Sequence, residues 1–169
     1  MSVNRKIEDR AISAIQRIID DHPTMEGYLN KRDKELSLDG YIRLYQYNDS
    51  EKDKVNFDDD VPVQIKGHVD KNGKILCRER IKETVALNDL RVYYRKMGCL
   101  YFVVYMGEDG SETEIFYVSL YPSKVKEYLE LASQKGNKNS ISIPCLRLEK
   151  ESRELYCVCK QFSFEVRKQ

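Results

Sequence analysis

Charge of one sign is what this chain has least of: 29 Lys and Arg stand against 28 Asp and Glu, a formal net charge of +1 over 169 residues. A field that small cannot gather a polyanion from solution, so nucleic-acid binding must come from a local patch or an assembly. Histidine is also scarce, with two, and the five cysteines (Cys77, Cys99, Cys145, Cys157, Cys159) form no CxxC pair. Only Cys157 and Cys159 can share a strand face, so a tetrahedral zinc site is poorly supplied. An odd number of thiols, with no signal peptide and no long apolar run, reads as reduced, core-packed cysteine in a cytoplasmic protein with no membrane span. Internal repeats and low-complexity segments are missing too, which excludes solenoids and arrays. What remains is length enough for one ordinary domain with a real core.

The first segment, from Asn4 to about His22, is expected to be an amphipathic helix. Ile7, Ala11, Ile15 and Ile18 recur at spacings of four, four and three, and Ile12 and Ile19 widen the stripe. Glu8 lies on the edge of that apolar face, where a carboxylate needs a cation, a metal or a path to water. His22 is expected to cap the helix end. A weak strand follows over Met25–Asn30, then a break at Lys31–Glu35.

Two strand-like runs come next, Leu38–Tyr45 and Val61–Gly67, joined by a polar stretch from Asn48 to Asp60 that reads as a loop. Alternation along a strand puts Gln64 and Lys66 on one face and Val63 and Ile65 on the other. Asp39 heads the earlier run, in phase with Tyr41 and Arg43. If the runs pair, a carboxylate, an amide oxygen and an ammonium converge. His68 shares the phase of Gln64 and Lys66, although a histidine at a strand end more often only makes a hydrogen bond. Asp58, Asp59 and Asp60 point in different directions and read as a solvated cap.

Downstream, Asn72-Gly73 is a hairpin signal. Asn88 is expected to open a short helix carrying Leu90, Tyr93, Tyr94 and Met97, closed by Gly98. The unbroken apolar run Cys99–Met106 suggests a central strand covered on both faces. Another strand is expected over Glu114–Leu120 and a helix from Ser123 to Gly136. The remainder, Ile141–Gln169, holds three strand-like pieces, around Leu146, over Tyr156–Val158 and over Phe162–Val166. The resulting class is α/β: a mixed central sheet flanked by helices over residues 1–136, with a β-rich extension over 137–169 packed on the same domain.

An Asp-Gly at the head of one strand, then Gln64-Ile65-Lys66 on the next, after a helix bearing an acid, resembles the metal-dependent nuclease superfamily named for its PD-(D/E)xK motif. The resemblance covers roughly residues 4–132. Two positions differ from the motif, since Leu38 stands where Pro is usual and Gln64 replaces the middle acid. The resemblance implies a restriction-endonuclease-like fold and metal-dependent endonuclease activity, on DNA in the first place, in bacterial defence or restriction. It implies Mg²⁺ or Mn²⁺ held by Asp39, the Gln64 side-chain oxygen and the Ile65 carbonyl, with Glu8 acting through a second ion or a water and Lys66 beside the attacking hydroxide. The partners implied are nucleic acid, further domains or proteins, and a second copy of the chain. The alternative is a catalytically silent module of the same fold that binds nucleic acid or serves assembly.

Overall fold

The computed structural model describes residues 2–30, 38–46 and 56–169. The break expected at Lys31–Glu35 and the part of the expected loop over 48–55 lie outside the described residues. Helix α1 spans Val3–Asp20, followed by strands β1 (Met25–Leu29), β2 (Gly40–Tyr45), β3 (Phe57–Asp70) and β4 (Arg80–Ala86). Then come helix α2 (Leu87–Arg95), strands β5 (Cys99–Gly107) and β6 (Thr113–Leu120), helix α3 (Pro122–Gln134), strand β7 (Ser140–Leu148) and helix α4 (Ser152–Val166). The class is α/β: one seven-stranded mixed sheet in the order β1-β2-β3-β5-β6-β7-β4, in which only β3 and β5 pair in parallel.

The alternation of side chains divides the core in two. Val61, Val63 and Ile65 of β3 and Leu100, Phe102 and Val104 of β5 meet α1 and α4, with Ile15, Ile19, Leu155, Cys159 and Phe162 in the same cluster. Tyr101 and Val103, on the other face of β5, join Leu90 and Tyr93 of α2 and Val125 and Ala132 of α3. β5 sits between β3 and β6, and its first six residues are all buried, as an apolar run without alternation requires. Each α1 isoleucine in this core stabilises the fold by about 1.5–3 kcal/mol through removal of its side chain from water.

Several expectations are corrected. β3 begins at Phe57, so Asp58–Asp60 belong to the strand rather than to a loop or a solvated cap. Their charge is tolerated because each has a partner: Asp58 binds Lys160 and Arg167, Asp59 accepts from the Ser163 hydroxyl, and Asp60 forms a two-pronged pair with Arg43. Asn72-Gly73 does form a turn, with Gly73 at φ +66°, but it joins no hairpin, since β3 pairs with β5 and the chain crosses to β4 at the far edge of the sheet. The turn is held by the Asp70 carboxylate, which accepts from the Ile75 and Leu76 amides at 2.7 and 3.0 Å.

Helix α2 starts one residue before Asn88, which is not its N-cap, and Tyr94 and Met97 of the expected apolar stripe are exposed. His22 is buried against the Tyr156 ring, 4.6 Å between centroids, and accepts from the Thr24 amide rather than capping α1. Residues 137–169 are not β-rich: they supply one strand, β7, and then α4. The pieces read as strands over Tyr156–Val158 and Phe162–Val166 form one helix, because Leu155, Cys159 and Phe162 at spacings of four and three are what the core receives. Cys77 and Cys157 are exposed, contrary to the core packing expected of every thiol, while Cys99, Cys145 and Cys159 are buried. None of the described helices is long and apolar enough to cross a membrane.

Candidate active site

The site is built where β2 and β3 part. Their last paired residues are Gly40 and Val63, and one further backbone bond follows, from the Asp39 amide to the Val63 carbonyl at 2.9 Å. Gly40 is required at this point. Its φ is +135°, and a Cβ built on it would lie 2.0 Å from the Tyr28 carbonyl oxygen of β1. The Asp-Gly pair is therefore a backbone device that lets β1 and β2 close up while Asp39 swings onto β3.

The Asp39 side chain is buried, and its Oδ2 accepts from the Ile65 amide at 2.7 Å. The carboxylate thus rests on the peptide that joins Gln64 to Ile65. The N–H and C=O of one extended residue point to the same edge of a strand. The Ile65 carbonyl accordingly faces the edge that β2 has left, beside Asp39.

Gln64 and Lys66 occupy the face of β3 opposite Val63 and Ile65, in register with Tyr101 and Val103 of β5. Asp39 belongs to the same side of the sheet. Burial above all raises the titration of the Cys99 thiol and the Tyr93 phenol, and the negative charge of Asp39 adds to both. Gln64 is only 5% exposed, and its Oε1 is fully buried with no hydrogen-bond partner among the described residues. A buried amide oxygen left unpaired costs about 1–3 kcal/mol. Lys66 is half-buried beside it.

Glu8 belongs to α1, which packs on the face of the sheet opposite Gln64 and Lys66. Helix α1 covers the Val63, Ile65 and Gly67 face, and a Cβ on Gly67 would lie 2.9 Å from both Ile7 Cγ2 and the Ile7 carbonyl oxygen. Glu8 follows Ile7 in α1 and is half-buried.

His68, two residues beyond Lys66 on the same face, binds a residue the sequence reasoning did not single out. Its Nε2 lies 2.9 Å from Oε1 of Glu83, and its ring leans on Tyr105 at 5.1 Å. Glu83 belongs to β4, at the far end of the sheet with β5, β6 and β7 in between, so the sheet must roll for the two to meet. Strand β4 went unread because Arg80, Lys82 and the inward Glu83 mask its apolar alternation. Its burial nonetheless alternates strictly, with Ile81, Glu83 and Val85 inward, and an acid in that inward phase was the signal that could have found Glu83.

Among the described residues no three His, Cys, Asp or Glu side chains cluster closely enough to hold a metal ion. The oxygens at or near the fork are of mixed kind: the Asp39 carboxylate, the Ile65 backbone carbonyl, and the fully buried Gln64 amide oxygen, which has no partner among the described residues. That set suits an ion that keeps several waters, as Mg²⁺ does, and not zinc. Neither a family model, nor a curated protein, nor a solved structure matches this chain.

Proposed function

We propose that this chain is a metal-dependent endonuclease of the PD-(D/E)xK type, hydrolysing phosphodiester bonds in DNA, with Asp39, Gln64, Ile65 and Lys66 as its site. One observation carries the reading: the Asp39 carboxylate sits on the Gln64–Ile65 peptide, on the same face of the sheet as a buried Gln64 amide oxygen that has no hydrogen-bond partner among the described residues. The order of helix, antiparallel β1-β2-β3, helix and a strand parallel to β3 also supports it, with β4 inserted before the second helix.

Mg²⁺ or Mn²⁺ held by Asp39, Gln64 Oε1 and the Ile65 carbonyl would polarise the phosphate and make bound water acidic. Asp39 is held by the Ile65 amide before any ligand arrives. Lys66, on the face of Gln64, supplies positive charge where a phosphate gains negative charge in the transition state. Gln64 brings no charge, so the free site holds a divalent ion loosely and fills when a phosphate completes the shell. The same absence of a second close carboxylate favours the rival reading, a silent module of this fold. A role in bacterial restriction or defence follows from the motif's likeness alone.

Calorimetric titration with Mn²⁺ separates the two. Gln64→Glu restores the charge and should tighten binding, Gln64→Ala should weaken it, and Asp39→Ala should abolish it. If all of these forms match the wild type, neither residue touches a metal and the silent-module reading replaces this one.

A further inference from the structure

Beside the fork, on the same side of the sheet as Asp39, β1, β2 and β3 expose a set of aromatic rings. Tyr28 and Tyr41 are stacked, 4.9 Å between centroids and 17° between planes. The Arg43 guanidinium lies over Tyr28, Tyr41 and Phe57 at 4.9, 5.3 and 5.6 Å. Tyr28 and Phe57 are 38% and 44% exposed. A cleft of about 690 Å³ opens next to these rings. Tyr28, Tyr41 and Pro62 line it, and so do Leu38 and Gly40, the two neighbours of Asp39. The side-chain amide of Gln16, which comes from the α1 side of the sheet and donates to Asp20 at 2.8 Å, also borders it, where Gly27 leaves room.

We propose that this cleft is the subsite for an unpaired nucleobase, so that the substrate is single-stranded nucleic acid or a frayed end rather than intact duplex. The proposal rests on the nuclease reading for what happens to the bound strand, but not for the binding itself. Rings that stay partly exposed beside the Tyr28–Tyr41–Arg43 stack, Tyr28 and Phe57 above all, offer π-surface, which every base can use. Arg43 is already committed to Asp60 through two hydrogen bonds of 2.8 and 3.0 Å. The cleft therefore selects a flat, weakly charged group and does not compete for the phosphate. Tyr41 and Asp39 are two residues apart on one face, about 7 Å along a strand. A base laid on Tyr41 thus brings its own phosphate to Asp39 and Lys66, which duplex stacking would prevent.

The test is fluorescence anisotropy with labelled oligo(dT), oligo(U) and a duplex of the same length, in EDTA at low ionic strength. The wild type should bind the single strands more tightly than the duplex, and the dT and U arms show whether the sugar is read. Tyr28→Ala and Tyr41→Ala should each weaken single-strand binding by about 5- to 100-fold. Tyr28→Phe and Tyr41→Phe keep the rings and should bind as the wild type does, which separates stacking from damage to the fold. Duplex bound as tightly as single strands, or alanine variants bound as well as wild type, overturns the proposal. Ring-dependent binding without any Mn²⁺-dependent cleavage keeps the subsite and removes the nuclease reading. Cleavage of duplex that ignores both tyrosines does the reverse.

Discussion

The carboxylate of Asp39 accepts the Ile65 amide at 2.7 Å, and this bond replaces the ladder that β2 would have supplied had it run further along β3. It is charge-assisted and buried, so it contributes to stability as well as aiming the side chain.

Asp39→Asn keeps an oxygen that can accept from Ile65 and should fold with a small loss, whereas Asp39→Ala leaves the amide unpaired and should cost about 1.5–3 kcal/mol. Urea denaturation of the two variants checks this. Equal stability in both would mean that the bond is not formed in solution.

Gln64 Oε1 is buried with no partner among the described residues. Gln64→Leu removes that unpaired oxygen at similar volume and should leave the protein at least as stable, by roughly 1 kcal/mol if the amide relaxes little. A thermal melt reads the outcome. A marked fall in Tm would show that the amide is satisfied within the folded chain and is not kept for a ligand.

Gly40→Ala places a methyl group 2.0 Å from the Tyr28 carbonyl oxygen, in a backbone conformation with φ +135°. The fork can accept it only by separating β1 from β2. The expected cost is at least about 3 kcal/mol, or a fall in Tm of roughly 6–12 °C.

Asp58 ties β3 to α4. Burial pulls its carboxyl upward, but Lys160 and Arg167 outweigh that and hold it below the ordinary aspartate range. A group with a depressed folded pKa contributes stability above its unfolded value and loses it as the pH falls through the folded one. The Tm should therefore decline from about pH 4 downward, and Asp58→Asn should show a lower Tm at neutral pH with a shallower acid limb. Parallel acid limbs in the two proteins would contradict the assignment.

The parts of this arrangement visible in the sequence are those in which one short period decides the outcome. The isoleucines of α1, the apolar run of β5 and the shared phase of Gln64 and Lys66 needed only local spacing. Helix α4 was misread because Tyr156, Val158, Phe162, Phe164 and Val166 favour strands and alternate, while the helical set of Leu155, Cys159 and Phe162 was sparser. The contact of Glu83 with His68 depends on β4 pairing with β7 and on the roll of the sheet, neither of which leaves a local trace. The stacking of Arg43 on three aromatic residues from three strands was equally hidden, although each strand was partly readable.

The central claim is that Asp39 and Lys66 act together on a phosphodiester. Its most direct test is the cleavage of labelled single-stranded DNA and supercoiled plasmid by the purified chain with Mg²⁺ or Mn²⁺, beside Asp39→Asn and Lys66→Met variants shown to be folded. The account predicts metal-dependent cutting by the wild type, suppressed by EDTA, and at least a 100-fold loss in each variant, on the order expected for removing a group that stabilises transition-state charge. Cleavage at wild-type rates in both variants, or none by the wild type with either ion, would contradict it.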